Sequence, residues 1–95
     1  MQKAQAESVR LWYAYRMTTD PDTLRTEMGA NLRRLRERMR PRVSQAALAR
    51  ALGWHRPTIT IIEGGKQGVP AHDLPAYAAA LRCPVVRLLP VGWRK

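Results

Sequence analysis

Arginine is the residue type in this sequence with the most chemistry to offer, and that chemistry is anion recognition. Of 17 basic residues only Lys3, Lys66 and Lys95 are lysine, and against seven acids they leave a formal net charge of +10. A guanidinium presents a planar fork of donors that fits phosphate oxygens and the O6/N7 edge of guanine. GC-rich coding would explain arginine over lysine, but not the shortage of acids. Such an excess favours a polyanionic partner, nucleic acid ahead of an anionic membrane surface. Arg33, Arg34, Arg36, Arg38, Arg40 and Arg42 crowd into one short stretch opposed only by Glu37. Charge runs are usually solvated faces, yet this one leads directly into the motif below, which favours phosphate contact for some of its members.

Other chemistries find no constellation. His55 and His72 have no serine or carboxylate arranged around them as a triad needs. No Cys/His pair is spaced for zinc and no glycine-rich loop is built for phosphate. The expectation is a protein that is not an enzyme and carries no metal or cofactor. Cys83, the single cysteine, lies between an apolar helix and Pro84 and reads as a small core residue; a reducing cytoplasm is its natural compartment. No apolar run approaches a membrane span and no signal peptide is visible. The length suits one domain with a modest core.

The elements that must position the cations centre on Ser44 to Lys66, SQAALARALGWHRPTITIIEGGK. A helix over Gln45 to Leu52 aligns Leu48, Ala49 and Leu52, with Ser44 as its N-cap. Gly53 stands where a chain leaving a helix needs a left-handed backbone. A second helix opens near His55, tolerates Pro57 in its first turn and turns Ile59 and Ile62 inward. Two helices joined by so tight a turn form a helix-turn-helix, whose second helix enters a DNA major groove.

The pattern Ser44-Gln45, Leu48-Ala49, Leu52-Gly53, Thr58-Ile59, Ile62-Glu63 and Gly65-Lys66 resembles the Cro/C1-type (XRE-like) helix-turn-helix family, over about residues 28 to 89. The resemblance implies an all-α, lambda-repressor-like five-helix domain, here with an extra N-terminal helix. It implies a sequence-specific double-stranded-DNA-binding transcriptional regulator of repressor type, acting as a homodimer on a two-fold operator. No small-molecule effector is implied. By the same resemblance Arg56 reads a base edge, and arginine suits guanine. Pro57 matches a second base-reading position, limited to van der Waals contact. Thr60 and Ile61 lie one turn on; Ile61 either meets a thymine methyl or is buried by something else, such as the loop Arg40 to Val43. Gln45 matches a glutamine that bonds a phosphate and braces the recognition helix. Thr58, Lys66 and Arg42 fall to the DNA backbone, and His55 caps the helix, reaches a phosphate or is an uncommitted polar residue. Arg36 and Glu63 match an internal ion pair. Two alternatives stay open: an antitoxin-like protein that binds a toxin and represses its own operon, and a protein–protein adaptor on the same fold.

Around this motif, residues 1–19 read as a helical extension, 20–90 as the domain and 91–95 as a tail. Ala6, Val9, Trp12, Tyr13 and Arg16 recur at helical spacing. That stripe folds back, pairs with a second copy or runs along DNA, unless the native chain starts at Met17. Trp12, Tyr13, Val91 and Trp93 are candidate dimer contacts. Asp20 caps and Pro21 opens a long helix carrying Leu24, Met28, Leu32, Leu35 and Met39 on one face and ending before Pro41. The link through Pro41 is longer than is usual in the family, and Val43 packs under the next helix. Residues 64–70 form a loop, with Gly64 where the family often has asparagine. A fourth helix follows from His72 or Asp73 to Leu81, with Leu74, Tyr77, Ala78 and Leu81 inward. A short fifth one, opened by Pro84, carries Val85, Val86, Leu88 and Leu89.

Overall fold

A computed structural model describes residues 20–90 of the chain. Four α-helices follow in order: α1 (Pro21–Glu37), α2 (Gln45–Leu52), α3 (Arg56–Glu63) and α4 (Leu74–Ala80), with 3-10 turns at Ala71–Asp73 and Val85–Leu88. The extension with Trp12 and Tyr13, and the tail with Val91 and Trp93, lie outside the described residues.

Each helix begins and ends for a local reason. Asp20 accepts the Thr23 backbone N–H through Oδ1 at 2.8 Å and the Thr23 hydroxyl through Oδ2 at 3.0 Å. Those bonds favour the carboxylate and lower the Asp20 pKa, the backbone bond most. α1 stops at Glu37, short of the expected end before Pro41. The residue before a proline is pushed out of the helical region. Arg40 then folds its guanidinium back onto the carbonyls of Glu37 and Met39, at 3.1 and 2.8 Å, and satisfies the frayed end. Ser44 caps α2 by accepting the Ala47 N–H at 3.0 Å. Gly53, at φ 71°, takes the left-handed turn that lets the Trp54 N–H reach back to the Ala49 carbonyl at 2.8 Å.

The core gathers Leu32 from α1, Leu48 and Ala49 from α2, Ile59 and Ile62 from α3, and Tyr77 and Ala78 from α4, closed by Leu81 and Leu88. Met39, Val43, Leu74 and Cys83 pack around it, partly buried. Burial pushes the Cys83 thiol pKa up, so the group is a protonated packing residue at neutral pH. Trp54 meets Tyr77 edge-on, with ring centroids 6.1 Å apart.

Two segments near the C-terminal end differ from the sequence expectation. α4 itself starts at Leu74, because the preceding residues form a 3-10 turn that closes with the Asp73 N–H on the Pro70 carbonyl at 2.9 Å. Pro75 thereby falls in the first turn, where its missing N–H costs nothing. The fifth element is one 3-10 turn, and it buries Leu88 while Val85 and Val86 stay exposed at 39% and 49%. Asn31, buried in α1, donates through Nδ2 to the carbonyls of Arg87 and Leu88 at 2.8 and 3.1 Å and so pins that turn.

α1 and α3 approach closely. A Cβ on Gly29 would lie 2.4 Å from the Ile62 carbonyl oxygen and 2.8 Å from that of Glu63. At the other end of this contact, Gly65 (φ 78°) rests against Thr26, where a Cβ would come within 2.7 Å of Cα. Both glycines therefore set how near α3 lies to the long helix.

Candidate nucleic-acid interface

α3 divides cleanly into two faces. Ile59 and Ile62 are buried at 0% and 1% exposure, whereas Ile61 is 41% exposed. Arg56, Pro57 and Thr60 are exposed with it. Among the described residues Ile61 therefore stays substantially uncovered.

Behind the exposed face a polar network ties α3 to α1 and α2. Arg36 donates to Glu63 twice, Nε to Oε2 at 2.7 Å and Nη2 to Oε1 at 3.0 Å, and its Nη1 donates to the Val43 carbonyl at 3.0 Å. The pair is almost dry, with side-chain exposures of 8% and 3%. The bond to Glu63 raises the Arg36 pKa against the opposing effect of burial, so the guanidinium stays charged. Gln45 joins the network by donating Nε2 to Glu63 Oε1 at 3.0 Å and accepting the Thr60 hydroxyl through Oε1 at 3.0 Å. The Tyr77 hydroxyl is buried and has no hydrogen-bond partner among the described residues. Burial, with the Glu63 charge adding to it, raises its pKa strongly, and Arg36 opposes them.

The other residues singled out in the sequence fall into two groups flanking the start of α3. Arg42, Gln45 and Arg56 line one open cleft, together with Arg33, Glu37 and Ser44. Glu37 stands between Arg33 and Arg42, with Oε2 at 3.5 and 3.7 Å from their nitrogens. Such exposed pairs are weak, which leaves both guanidinia able to exchange partners. His55 and Thr58 line a second cleft with Trp54, Gln67 and Asp73. His55 occupies the N-cap position of α3, but its side chain makes no capping bond, which removes the capping role. Lys66 is exposed in the loop, its backbone N–H bonded to the Ile61 carbonyl at 3.1 Å.

A family profile described as a helix-turn-helix domain matches residues 27–89. The chain belongs to the helix-turn-helix domain family. This family is related to the Cro/C1-type domains, and its matched span covers all four helices except the first turns of α1. No curated protein and no solved structure matches the chain at a significant level. Among the described residues no helix is long and apolar enough to cross a membrane.

Several residues that shape this helix-turn-helix were not singled out by sequence reasoning. Gly29 offered a signal, since a glycine inside a strongly periodic helix costs about 1 kcal/mol against alanine and wants a packing reason. Asn31 offered none beyond being polar on a polar helix. The Gln45–Thr60 link joins residues fifteen positions apart and has no local signature.

Proposed function

We propose that this helix-turn-helix protein is a sequence-specific, double-stranded-DNA-binding transcriptional regulator of repressor type, with α3 seated in the major groove. What carries the proposal is the two-faced α3: its inner isoleucines are sealed, while Arg56, Pro57, Thr60 and Ile61 stand out beside a cleft lined by arginines. An exposed isoleucine next to Thr60 gains nothing from water and fits a thymine methyl. Arg56 takes O6 and N7 of guanine, and Pro57 adds van der Waals contact. The second amide N–H of Gln45, with Arg42, His55, Thr58 and Lys66, falls to phosphates and sets register without specifying sequence. One such helix reads only a few base pairs, so a homodimer on a two-fold operator is the working form.

The test is selection from a random duplex pool, followed by binding across a salt series. The expected outcome is one enriched motif and a steep loss of affinity with rising salt. Arg56→Ala should lose about 1–3 kcal/mol of discrimination at a single guanine. Lys66→Ala should weaken all sequences alike and lower the salt slope by about one. Failure to bind any duplex at low salt would overturn the proposal, and capture of a protein partner instead would favour the adaptor or antitoxin reading.

A further inference from the structure

Hydrogen bonds have a direction, and the network behind α3 transmits one to the surface. Glu63 is an ionised carboxylate held by Arg36, so it can only accept. Its neighbour at 3.0 Å must therefore be the amide nitrogen of Gln45, because the reverse orientation would set two acceptors face to face. That fixes Gln45 Oε1 toward Thr60, 3.0 Å away. A hydroxyl has one proton, and Thr60 must donate it to this oxygen. Its other polar neighbour, the Arg56 carbonyl at 3.4 Å, is also an acceptor. Whichever is favoured at a given moment, the proton stays on the protein side. The lone pairs of the exposed Thr60 hydroxyl are left for whatever faces α3.

We propose that the Arg36–Glu63 pair, acting through Gln45, sets Thr60 as a hydrogen-bond acceptor that selects an exocyclic amino group, adenine N6 or cytosine N4, in the major groove. The inference rests on the major-groove reading above. It closes Thr60 to phosphate oxygens, to guanine O6 and N7 and to thymine O4, all of which only accept. A free threonine could serve either polarity; this one serves a single polarity because its donor is already committed. Gln45 and Glu63 are positioning residues here, since neither needs to touch the base.

Methylation of the base amino group tests this directly. N6-methyladenine or N4-methylcytosine replaces the groove-facing N–H with a methyl group and leaves the Watson–Crick N–H in place. Each adenine and cytosine of the selected site is substituted in turn, and affinity is measured for the wild type, Thr60→Ser and Thr60→Val. At one position the methyl group should weaken the wild type and Thr60→Ser by about fivefold or more, the worth of one neutral hydrogen bond. Thr60→Val should bind the unmodified site less tightly by a similar factor and be indifferent to that methyl group. Gln45→Met removes the nearer acceptor and leaves the threonine proton only the longer 3.4 Å contact to the Arg56 carbonyl, so it should broaden base selection at the same pair and leave the Arg56 guanine selected. Equal methyl sensitivity of the wild type and Thr60→Val at every position would overturn the inference while leaving the DNA-binding reading intact. Absence of binding to any duplex would bring down both.

Discussion

Replacing Glu63 with alanine tests how α3 is held, and the cost can be worked from the network. The substitution deletes one carboxylate that is 3% exposed and accepts three hydrogen bonds, two from Arg36 and one from Gln45. Arg36, 8% exposed, keeps its charge and, among the described residues, retains only the Val43 carbonyl as a side-chain hydrogen-bond partner. Stranding one member of a buried pair typically costs about 3–5 kcal/mol, most of it the desolvation of the charge left behind. A domain of this size has stability of about 5–10 kcal/mol, so the variant would sit near the edge of folding. In a thermal melt followed by circular dichroism at neutral pH, each kcal/mol moves the midpoint by about 4–8 °C, which predicts a fall of at least about 12 °C. The double variant Arg36→Met, Glu63→Leu separates the pair's net worth from the cost of breaking it. Apolar replacements strand no charge, so much of the stability should return. A Glu63→Ala midpoint within about 3 °C of wild type would refute the reasoning, since the carboxylate would then be holding nothing.

Three further outcomes follow from single contacts. Gly29→Ala places a methyl group 2.4 Å from the Ile62 carbonyl oxygen, so it should cost about 1–3 kcal/mol in denaturant unfolding and weaken DNA binding by displacing α3; wild-type stability would show that the helices separate freely. Tyr77→Phe removes a buried hydroxyl that has no partner among the described residues, so unfolding free energy should hold or rise by up to about 1–3 kcal/mol; a clear loss would reveal a hidden bond. Asp20→Ala should lower the melting midpoint at pH 7. Because the folded pKa lies below the ordinary 3.8, the carboxylate's contribution is complete above that value and is lost as pH falls through the folded pKa. The gap between variant and wild type should therefore close at low pH, and a gap unchanged under acid would exclude the charged cap.

Local rules carried the sequence reading far. Asp20, Ser44 and Gly53 act within a few residues of themselves, and the inward set Leu48, Ile59 and Ile62 follows from helical periodicity alone. Local rules were weakest where two of them competed. Pro75 permitted a helix start at His72 or Asp73, yet the chain chose a 3-10 turn there and began α4 at Leu74. After Pro84, apolar residues suggested a helix, but a single tight turn brings in only Leu88 and leaves Val85 and Val86 outside.

The order of residues by itself determined where the helices lie, what caps them and which stripe each one buries, because those properties depend on neighbours three or four positions away. It also determined the basic character that any partner must meet. Only the folded arrangement decided that Gly29 admits the backbone of α3, that Asn31 holds carbonyls 56 and 57 positions distant, and that Arg33, Arg42 and Arg56 border one cleft. It alone brought the Thr60 hydroxyl to within 3.0 Å of a glutamine fifteen residues away. Contacts across such separations depend on how rigid helices cross, and a crossing angle has no period for a sequence to display.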